Sequence, residues 1–209
     1  IRDDCDMAWG SWGRFGDVPL SAGSGVRCAD RRLPALRAYR AQVVHNTLLQ
    51  GSLAARREMV LHAGPPSPEL RYMVDYEYTL RLLAASRYVE SIGRKVLLYR
   101  IHEGNETASA QRTLGYVAER PVLLRLCAEH ARLNSKVAAY QGILYRSQCA
   151  ADFSDGLSDA VRHDRRRGYA IMRDAVRRCP ALLLQPKIVG DLVLASFGEL
   201  GYAALRRIH

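Results

Sequence analysis

Three ionisable residues in the middle of the chain have the types and the spacing to act on an alcohol and a phosphate. Asp75 begins an apolar segment with helical periodicity, and Arg100 and His102 follow a short apolar run. A carboxylate held in a cleft can remove a proton from a hydroxyl group. An arginine and an imidazole can pair with phosphate oxygens. Together these residues predict a general base close to an anion-binding site.

Each of these residues also has a purely structural explanation. An aspartate at a helix start accepts hydrogen bonds from free backbone N–H groups and suits the positive end of the helix dipole. Arg100 and His102 are two residues apart, so on a strand they share one face. They could equally be a strand-end arginine and a histidine that is hydrogen-bonded beneath a loop. Position alone does not separate catalysis from capping.

The elements that would position these residues alternate between strand and helix over residues 42–102. We predict a buried strand at 43–54, helices at 56–63 and 74–86, and short strands at 89–92 and 96–100. Alternating strands and helices indicate an α/β fold, although too few strands are present for a complete sheet.

The two ends of the chain differ from this middle segment. Residues 1–41 are rich in Gly, Ser, Asp and Arg, and we predict irregular, loop-rich structure there. Over residues 108–209 the apolar positions follow helical periodicity, which predicts an all-helical extension. We therefore divide the chain into an α/β domain at 1–107 and a helical domain at 108–209. Because Ile1 is not a methionine, we expect the chain to be part of a longer protein.

Composition narrows the classes of partner. The chain has 209 residues, a formal net charge of +10 and 48% hydrophobic residues, so it can bury a core and favours anionic partners. Five cysteines without C-x-x-C spacing support neither a zinc site nor a disulfide framework, and they fit a reducing compartment. No apolar run is long enough for a membrane span. One hypothesis is therefore a basic helical module that binds nucleic acid or an acidic membrane surface.

Three segments together resemble the inverting family 2 glycosyltransferases of the GT-A type. The catalytic helix of that family has an acidic pair, an aromatic residue, a leucine and an arginine. The matching residues here are Asp75, Tyr76, Leu80 and Arg81. Upstream, N-T-L-L-Q-G-S-L-A-A-R-R-E resembles the family's strand that ends in Gly-Ser before an Arg-Arg-Glu helix start. Downstream, L-L-Y-R-I-H-E-G-N-E-T resembles its closing Tyr-Arg-x-His. The chain departs from the pattern at Val74, where the family usually has the first acid.

The resemblance implies the C-terminal half of a GT-A fold followed by a helical tail. It implies transfer of a sugar, with inversion, from a nucleotide-diphospho-sugar donor to a hydroxyl of a carbohydrate or lipid-linked acceptor, as in cell-envelope polysaccharide synthesis. Asp75 would be the base, and Arg100 and His102 would bind the donor diphosphate. Supporting roles fall to Arg81, Gly51 and Ser52.

The resemblance also implies a divalent cation, Mg²⁺ or Mn²⁺, because the family holds one with an Asp-x-Asp motif. Asp4-Cys5-Asp6 is the only such triplet in the chain, and it lies closer to Asp75 than is usual in the family. We therefore expect the metal motif upstream of this chain. Asp4 and Asp6 are weaker candidates for the metal, and His102 is a further candidate ligand.

Location and partners follow from the same resemblance. We expect the complete enzyme in the cytoplasm or at the inner face of the membrane, which the basic helical tail would contact. Nucleic acid is not an expected partner of that enzyme. For the chain by itself we expect weak donor binding or none.

Overall fold

The structure, a computed structural model, describes residues 3–16, 29–46, 48, 50–102 and 104–196. The chain divides into two compact units, residues 1–143 and 144–209. The first unit combines a sheet with helices, which confirms the predicted α/β class. The second unit, in the part that is described, is helical.

In the described residues of the first unit the strands form a mixed sheet with the order β2-β4-β1-β3. The strands are β1 (Met7–Gly16), β2 (Arg31–Pro34), β3 (Leu53–Ala55) and β4 (Tyr88–Ile101). β1 and β4 run parallel along their whole length, whereas β2 and β3 are antiparallel to their neighbours and pair only near the beginning of β4 and β1. The carboxyl ends of the two long strands therefore lie side by side.

Helices accompany this sheet. In the first unit they are α1 (Ala35–His45), α2 (Arg57–Ala63), α3 (Val74–Ala85), α4 (Glu106–Thr113), α5 (Gly115–Leu133) and α6 (Ser135–Ala138). α3 is central, because it contacts α1, α2 and α5 and is buried over most of residues 76–84. A helix that is covered on most sides needs apolar residues on most faces, which Y-E-Y-T-L-R-L-L-A largely provides. The first turn of α3 is therefore held in a fixed place.

The N-terminal segment is more regular than the sequence predicts. The prediction of loops at residues 1–41 is wrong for the described part of this range, which contains β1, β2 and the start of α1. The glycines of β1 do not break the strand; they admit neighbouring side chains. A Cβ on Gly10 would lie 2.5 Å from the methyl carbons of Val96 in β4. The G-x-x-G pattern therefore reflects close packing on a parallel neighbour and not loop structure.

Two further predictions need correction. The strand predicted at 43–54 is instead the end of α1, a 3₁₀ turn at Gln50–Ser52 and the short β3. α1 ends at Asn46, which is in the left-handed conformation with a φ of 43°; asparagine tolerates this conformation better than most residues. The two strands predicted on either side of Gly93 are one strand, β4, with a bulge there. The Asp30 carboxylate accepts a hydrogen bond from Gly93 N at 2.7 Å within this bulge.

The predicted boundary at residues 107 and 108 does not coincide with the division between the units. α4, α5 and α6 lie in the first unit. Helical periodicity predicts these helices correctly, but it does not identify the element on which each helix packs.

The second unit is a small helical assembly. It contains most of α7 (Gln141–Arg162), α8 (Arg165–Arg178) and α9 (Pro186–Ser196), with a 3₁₀ turn at Pro180–Leu184. Its core consists of Cys149, Phe153, Leu157, Met172, Ala175, Cys179, Leu182 and Ile188. The helical prediction is therefore confirmed for the described part of the tail. Among the described helices, none has the length and apolar character needed to cross a membrane.

Candidate functional site

Asp75 lies in the first turn of α3, one residue after the helix begins at Val74. The residue is exposed, but partial desolvation raises the pKa of its carboxyl above the ordinary aspartate value. The N-cap position belongs to Met73, which makes no side-chain capping bond. Asp75 therefore does not occupy the N-cap position that a structural explanation would favour. It is an accessible carboxylate with increased basicity.

The side-chain amide of Gln50 lies against the Asp75 carboxylate. Its nitrogen, oriented to satisfy the hydrogen bonds, donates to Oδ2 at 3.3 Å and also approaches Oδ1. Gln50 begins the 3₁₀ turn in which Ser52 is buried. Gly51 of this turn lies beneath Leu97 of β4, since a Cβ would be 3.1 Å from a Leu97 methyl carbon. The structure therefore brings the Gly-Ser motif and the α3 carboxylate together.

Three consecutive backbone N–H groups just before α3 converge on one carboxylate of α5. Glu119 accepts from Arg71 N at 2.9 Å, from Tyr72 N at 2.9 and 3.2 Å, and from Met73 N at 2.9 Å. Such a run of N–H groups is a ready site for an anion, and here the chain fills the site with its own side chain. The start of α3, and Asp75 with it, is therefore positioned from α5.

Further contacts join residues 69–73 to α4 and α5. They are the ion pairs Arg71–Glu106 at 2.9 Å and Glu69–Arg125 at 2.5 Å, and the edge-on ring contact Tyr72–Tyr116 at 6.1 Å between centroids. The ion pairs are exposed and contribute little individually. Gly115 allows the Tyr72 ring to lie directly on the start of α5, because an added Cβ would overlap that ring. Ring packing and the backbone bonds to Glu119 therefore dominate this connection.

Arg81 has a structural role within α3. Its guanidinium donates to the two carboxylate oxygens of Glu77 at 2.6 and 3.0 Å, and to the backbone carbonyls of Ala63 and Pro65. The side chains of Arg81 and Glu77 are largely buried. A ligand could use this guanidinium only by displacing Glu77 or a carbonyl group. Arg81 therefore supports the site by joining α3 to the end of α2.

Arg100 and His102 lie where β4 ends, and both residues are exposed. Asn105 organises the backbone of this loop, because its amide donates to Arg100 O at 2.8 Å and its N–H to His102 O at 3.1 Å. Within the described residues, no hydrogen bond or ion pair joins Arg100 or His102 to Asp75. The described contacts therefore join Asp75 to Gln50, and they do not join it directly to Arg100 or His102.

Asp4 and Asp6 have structural partners. Asp4 pairs with Arg32 at 3.0 Å, and Asp6 accepts from the backbone N–H groups of Arg87 and Tyr88 at 2.6 and 3.4 Å. Over the residues that the structure describes, no cluster of three His, Cys, Asp or Glu side chains could hold a metal ion. These residues therefore do not fit the Mg²⁺ or Mn²⁺ site that the resemblance implies; Asp6 instead accepts hydrogen bonds where the inner strand β4 begins, and Asp4 pairs with Arg32 of β2.

Comparisons with protein-family models, with curated proteins and with solved structures returned no match. Gln50 and Glu119 are the two residues of this site that sequence reasoning did not identify. Gln50 directly precedes the Gly-Ser pair, so its place in the motif was the available signal. The sequence contains no such signal for Glu119, because the partners of its carboxylate are backbone groups 46 to 48 positions away along the chain.

Proposed function

We propose that the first unit carries the acceptor-activating part of an inverting glycosyltransferase, with Asp75 as the general base. The observation that carries the proposal is the contact of Gln50 with Asp75, which joins two of the three sequence motifs. A second support is the fixed position of an accessible carboxylate on a buried helix, since a base must be held in one orientation.

In the proposed reaction Asp75 accepts the proton of an acceptor hydroxyl while that oxygen attacks the anomeric carbon of the donor sugar. The attack comes from the face opposite the leaving group, so the configuration inverts. The bond from the anomeric carbon to the diphosphate oxygen breaks, and its electron pair leaves with the nucleoside diphosphate. The raised pKa makes Asp75 a stronger base than a free aspartate. Gln50 orients the carboxylate and leaves lone pairs free for the acceptor.

The proposal assigns the leaving diphosphate to Arg100 and His102. Both are exposed at the end of β4, where Asn105 donates to the Arg100 carbonyl. A guanidinium can pair with two phosphate oxygens at once, and an imidazole can donate to a third. These donors would stabilise the negative charge that develops on the leaving group. The resemblance implies a divalent cation as well, but no step of the proposal depends on one.

The test is the effect of Asp75→Asn on sugar transfer by the protein. Release of nucleoside diphosphate is measured with UDP-, GDP- and dTDP-sugars and a mixture of carbohydrate and lipid-linked acceptors. We expect a loss of about 10²- to 10⁴-fold, the usual contribution of a positioned base. The matched control is Glu58→Gln, which removes an exposed carboxylate from the first turn of α2. Full activity in Asp75→Asn, or equal losses in both variants, would overturn the proposal.

A milder variant tests the role of Gln50. Gln50→Ala keeps the base but removes a donor that favours the charged carboxylate, so the pKa of Asp75 should rise further. The acidic limb of the pH–rate profile should then move to higher pH. A profile that is unchanged in Gln50→Ala would show that the contact does not act on the base.

A further inference from the structure

One side of α8 presents a row of exposed arginines. Arg165, Tyr169, Arg173 and Arg177 follow one another at intervals of four residues, which places them along one face of the helix. All four are exposed, as is the adjacent Arg166. The Arg165 guanidinium lies 5.6 Å from the centre of the Tyr169 ring. We call these five residues the arginine strip.

Three arginines of the strip have no acidic partner among the described residues. Within the described part of the chain, the side chains of Arg166, Arg173 and Arg177 take part in no hydrogen bond or ion pair. The other two arginines of α8 behave differently, because Arg167 and Arg178 pair with buried aspartates of α7. In the folded second unit, aspartates therefore neutralise Arg167 and Arg178. The arginines of the strip remain available to a ligand.

Close packing on α7 fixes which face of α8 is outward. Gly168, Met172 and Ala175 of α8 are buried. A Cβ on Gly168 would overlap the backbone of Ala160 and Gly156 in α7. Rotation of α8 about its axis would break this contact, so the arginine strip stays directed toward solvent.

Exposed aliphatic side chains follow α8 within the same unit. Leu183 and Leu184 of the 3₁₀ turn are 48% and 84% exposed, and Val189 and Val193, four residues apart on α9, are 45% and 55% exposed. Exposed aliphatic side chains that are near one another along the chain indicate a surface that is covered on binding. Their combination with unpaired cations is typical of proteins that lie in the membrane interface.

We propose that the second unit docks on a membrane surface rich in anionic phospholipid. The arginine strip would contact headgroup phosphates, and the exposed leucines and valines would reach the acyl boundary. Charge complementarity argues for an anionic surface, and the aliphatic residues argue for lipid, since single-stranded nucleic acid is held mainly through aromatic stacking. The inference rests on the second unit alone and does not depend on whether Asp75 is a base.

Vesicle co-sedimentation of the 209-residue chain tests the proposal. We expect binding to vesicles that contain phosphatidylglycerol, little binding to pure phosphatidylcholine, and weaker binding as salt is raised. Each basic residue at an anionic surface contributes about 1 kcal/mol, which is about fivefold. Replacement of Arg166, Arg173 and Arg177 by Gln should therefore lower the affinity by about 100-fold.

The matched control is replacement of Arg37, Arg40 and Arg94 by Gln, which removes the same charge from exposed positions of the first unit. This variant should bind vesicles within about threefold of the parent chain, because its arginines do not belong to the arginine strip. Equal losses in the two triple variants would mean that only net charge matters, and would overturn the assignment to α8.

The aliphatic contribution is tested by Leu184→Ser. Burial of a leucine side chain corresponds to about tenfold or more in affinity, so this variant should bind about tenfold more weakly and keep its salt dependence. Unchanged binding would show that Leu184 does not contact the membrane, and it would overturn the proposed insertion of the aliphatic side chains. Strip-dependent binding to duplex DNA or RNA, with no binding to anionic vesicles, would assign the strip to nucleic acid instead.

Discussion

The Asp75 carboxyl has a raised pKa because part of its surroundings excludes water. An acid with a raised pKa in the folded state favours its protonated form there more than in the unfolded chain. The stability that this contributes is fully present at low pH and is lost as the pH rises through the folded-state pKa. At neutral pH the native state therefore keeps an ionised carboxylate at some cost, as functional residues often do.

We expect Asp75→Asn to melt at the same temperature as the parent chain, or a higher one, at pH 7. Asparagine cannot ionise, so it avoids the stability lost on ionisation. The difference should disappear below the ordinary aspartate pKa of about 3.9. Thermal unfolding followed by circular dichroism measures both values. A marked fall in melting temperature at pH 7 would contradict the prediction and show that Asp75 mainly stabilises the helix start.

Residue type and spacing are enough to name Asp75, Arg100 and His102 as candidates, because their chemistry is visible in the side chain itself, whereas their roles come from the family resemblance. The same information does not identify Glu119 as a residue of the site. Its function depends on bonds to backbone N–H groups, and backbone groups are identical at nearly every position. Arg81 illustrates the converse, since its side chain suggests anion binding but the structure uses it on Glu77 and two carbonyls.

At the scale of elements, the positions of α2 and α3 follow from their periodicity to within a residue at each end. The predicted loops at residues 1–41 failed because β1 achieves its packing through glycines, which single-sequence patterns associate with turns. The relation of α5 to α3 could not be predicted either. Apolar periodicity shows which side of a helix is buried, but it does not show against which partner.

Removal of the Glu119 carboxylate should loosen the start of α3. In Glu119→Ala three backbone donors lose their acceptor, and we expect a loss of about 1–3 kcal/mol in the free energy of unfolding, measured with urea. Glu119→Gln should lose less, because one oxygen can still accept. Glu129→Ala is the control on the same helix; it removes an exposed ion pair with Arg125, and we expect a change below about 0.5 kcal/mol. Equal effects at positions 119 and 129 would contradict the proposed positioning.

Two glycines of the second unit should respond in opposite directions to alanine. Gly168 lies against the α7 backbone, so Gly168→Ala should cost about 1–3 kcal/mol or more. Gly190 lies within α9, and an added Cβ there meets nothing within 4 Å. Gly190→Ala should therefore stabilise the chain by about 0.5–1 kcal/mol through helix propensity. Chemical denaturation distinguishes the two, and stabilisation by Gly168→Ala would contradict the close contact of α7 and α8.

At the scale of the whole molecule, the described cysteines are distributed over both units, so their reactivity can be used to follow the unfolding of each unit. Cys5, Cys127, Cys149 and Cys179 are free and buried. Burial raises the pKa of Cys127 to about 12 and also raises the pKa values of Cys5 and Cys149. A buried thiol that resists ionisation is a poor nucleophile. Cys28 lies outside the described residues.

We therefore expect the Cys28→Ser variant to show no thiol that reacts with Ellman's reagent at pH 8 until denaturant is added, when all four thiols should react together or in two steps. The number of steps would show whether the units unfold as one. Rapid reaction of any thiol in the native variant, measured by absorbance, would contradict the burial of the corresponding residue.

The bonds between Glu119 and the start of α3 also determine which substitutions this sequence can accept during evolution. Positions 71, 72 and 73 contribute their main-chain N–H groups to those bonds, so many side chains there keep them intact. Proline is the exception, because it has no N–H to donate. Position 119 has no such freedom, since a carboxylate is needed to serve all three donors. A saturation library should accordingly reject proline at positions 71–73, tolerate many other residues at the exposed position 71, and retain acidic residues at 119.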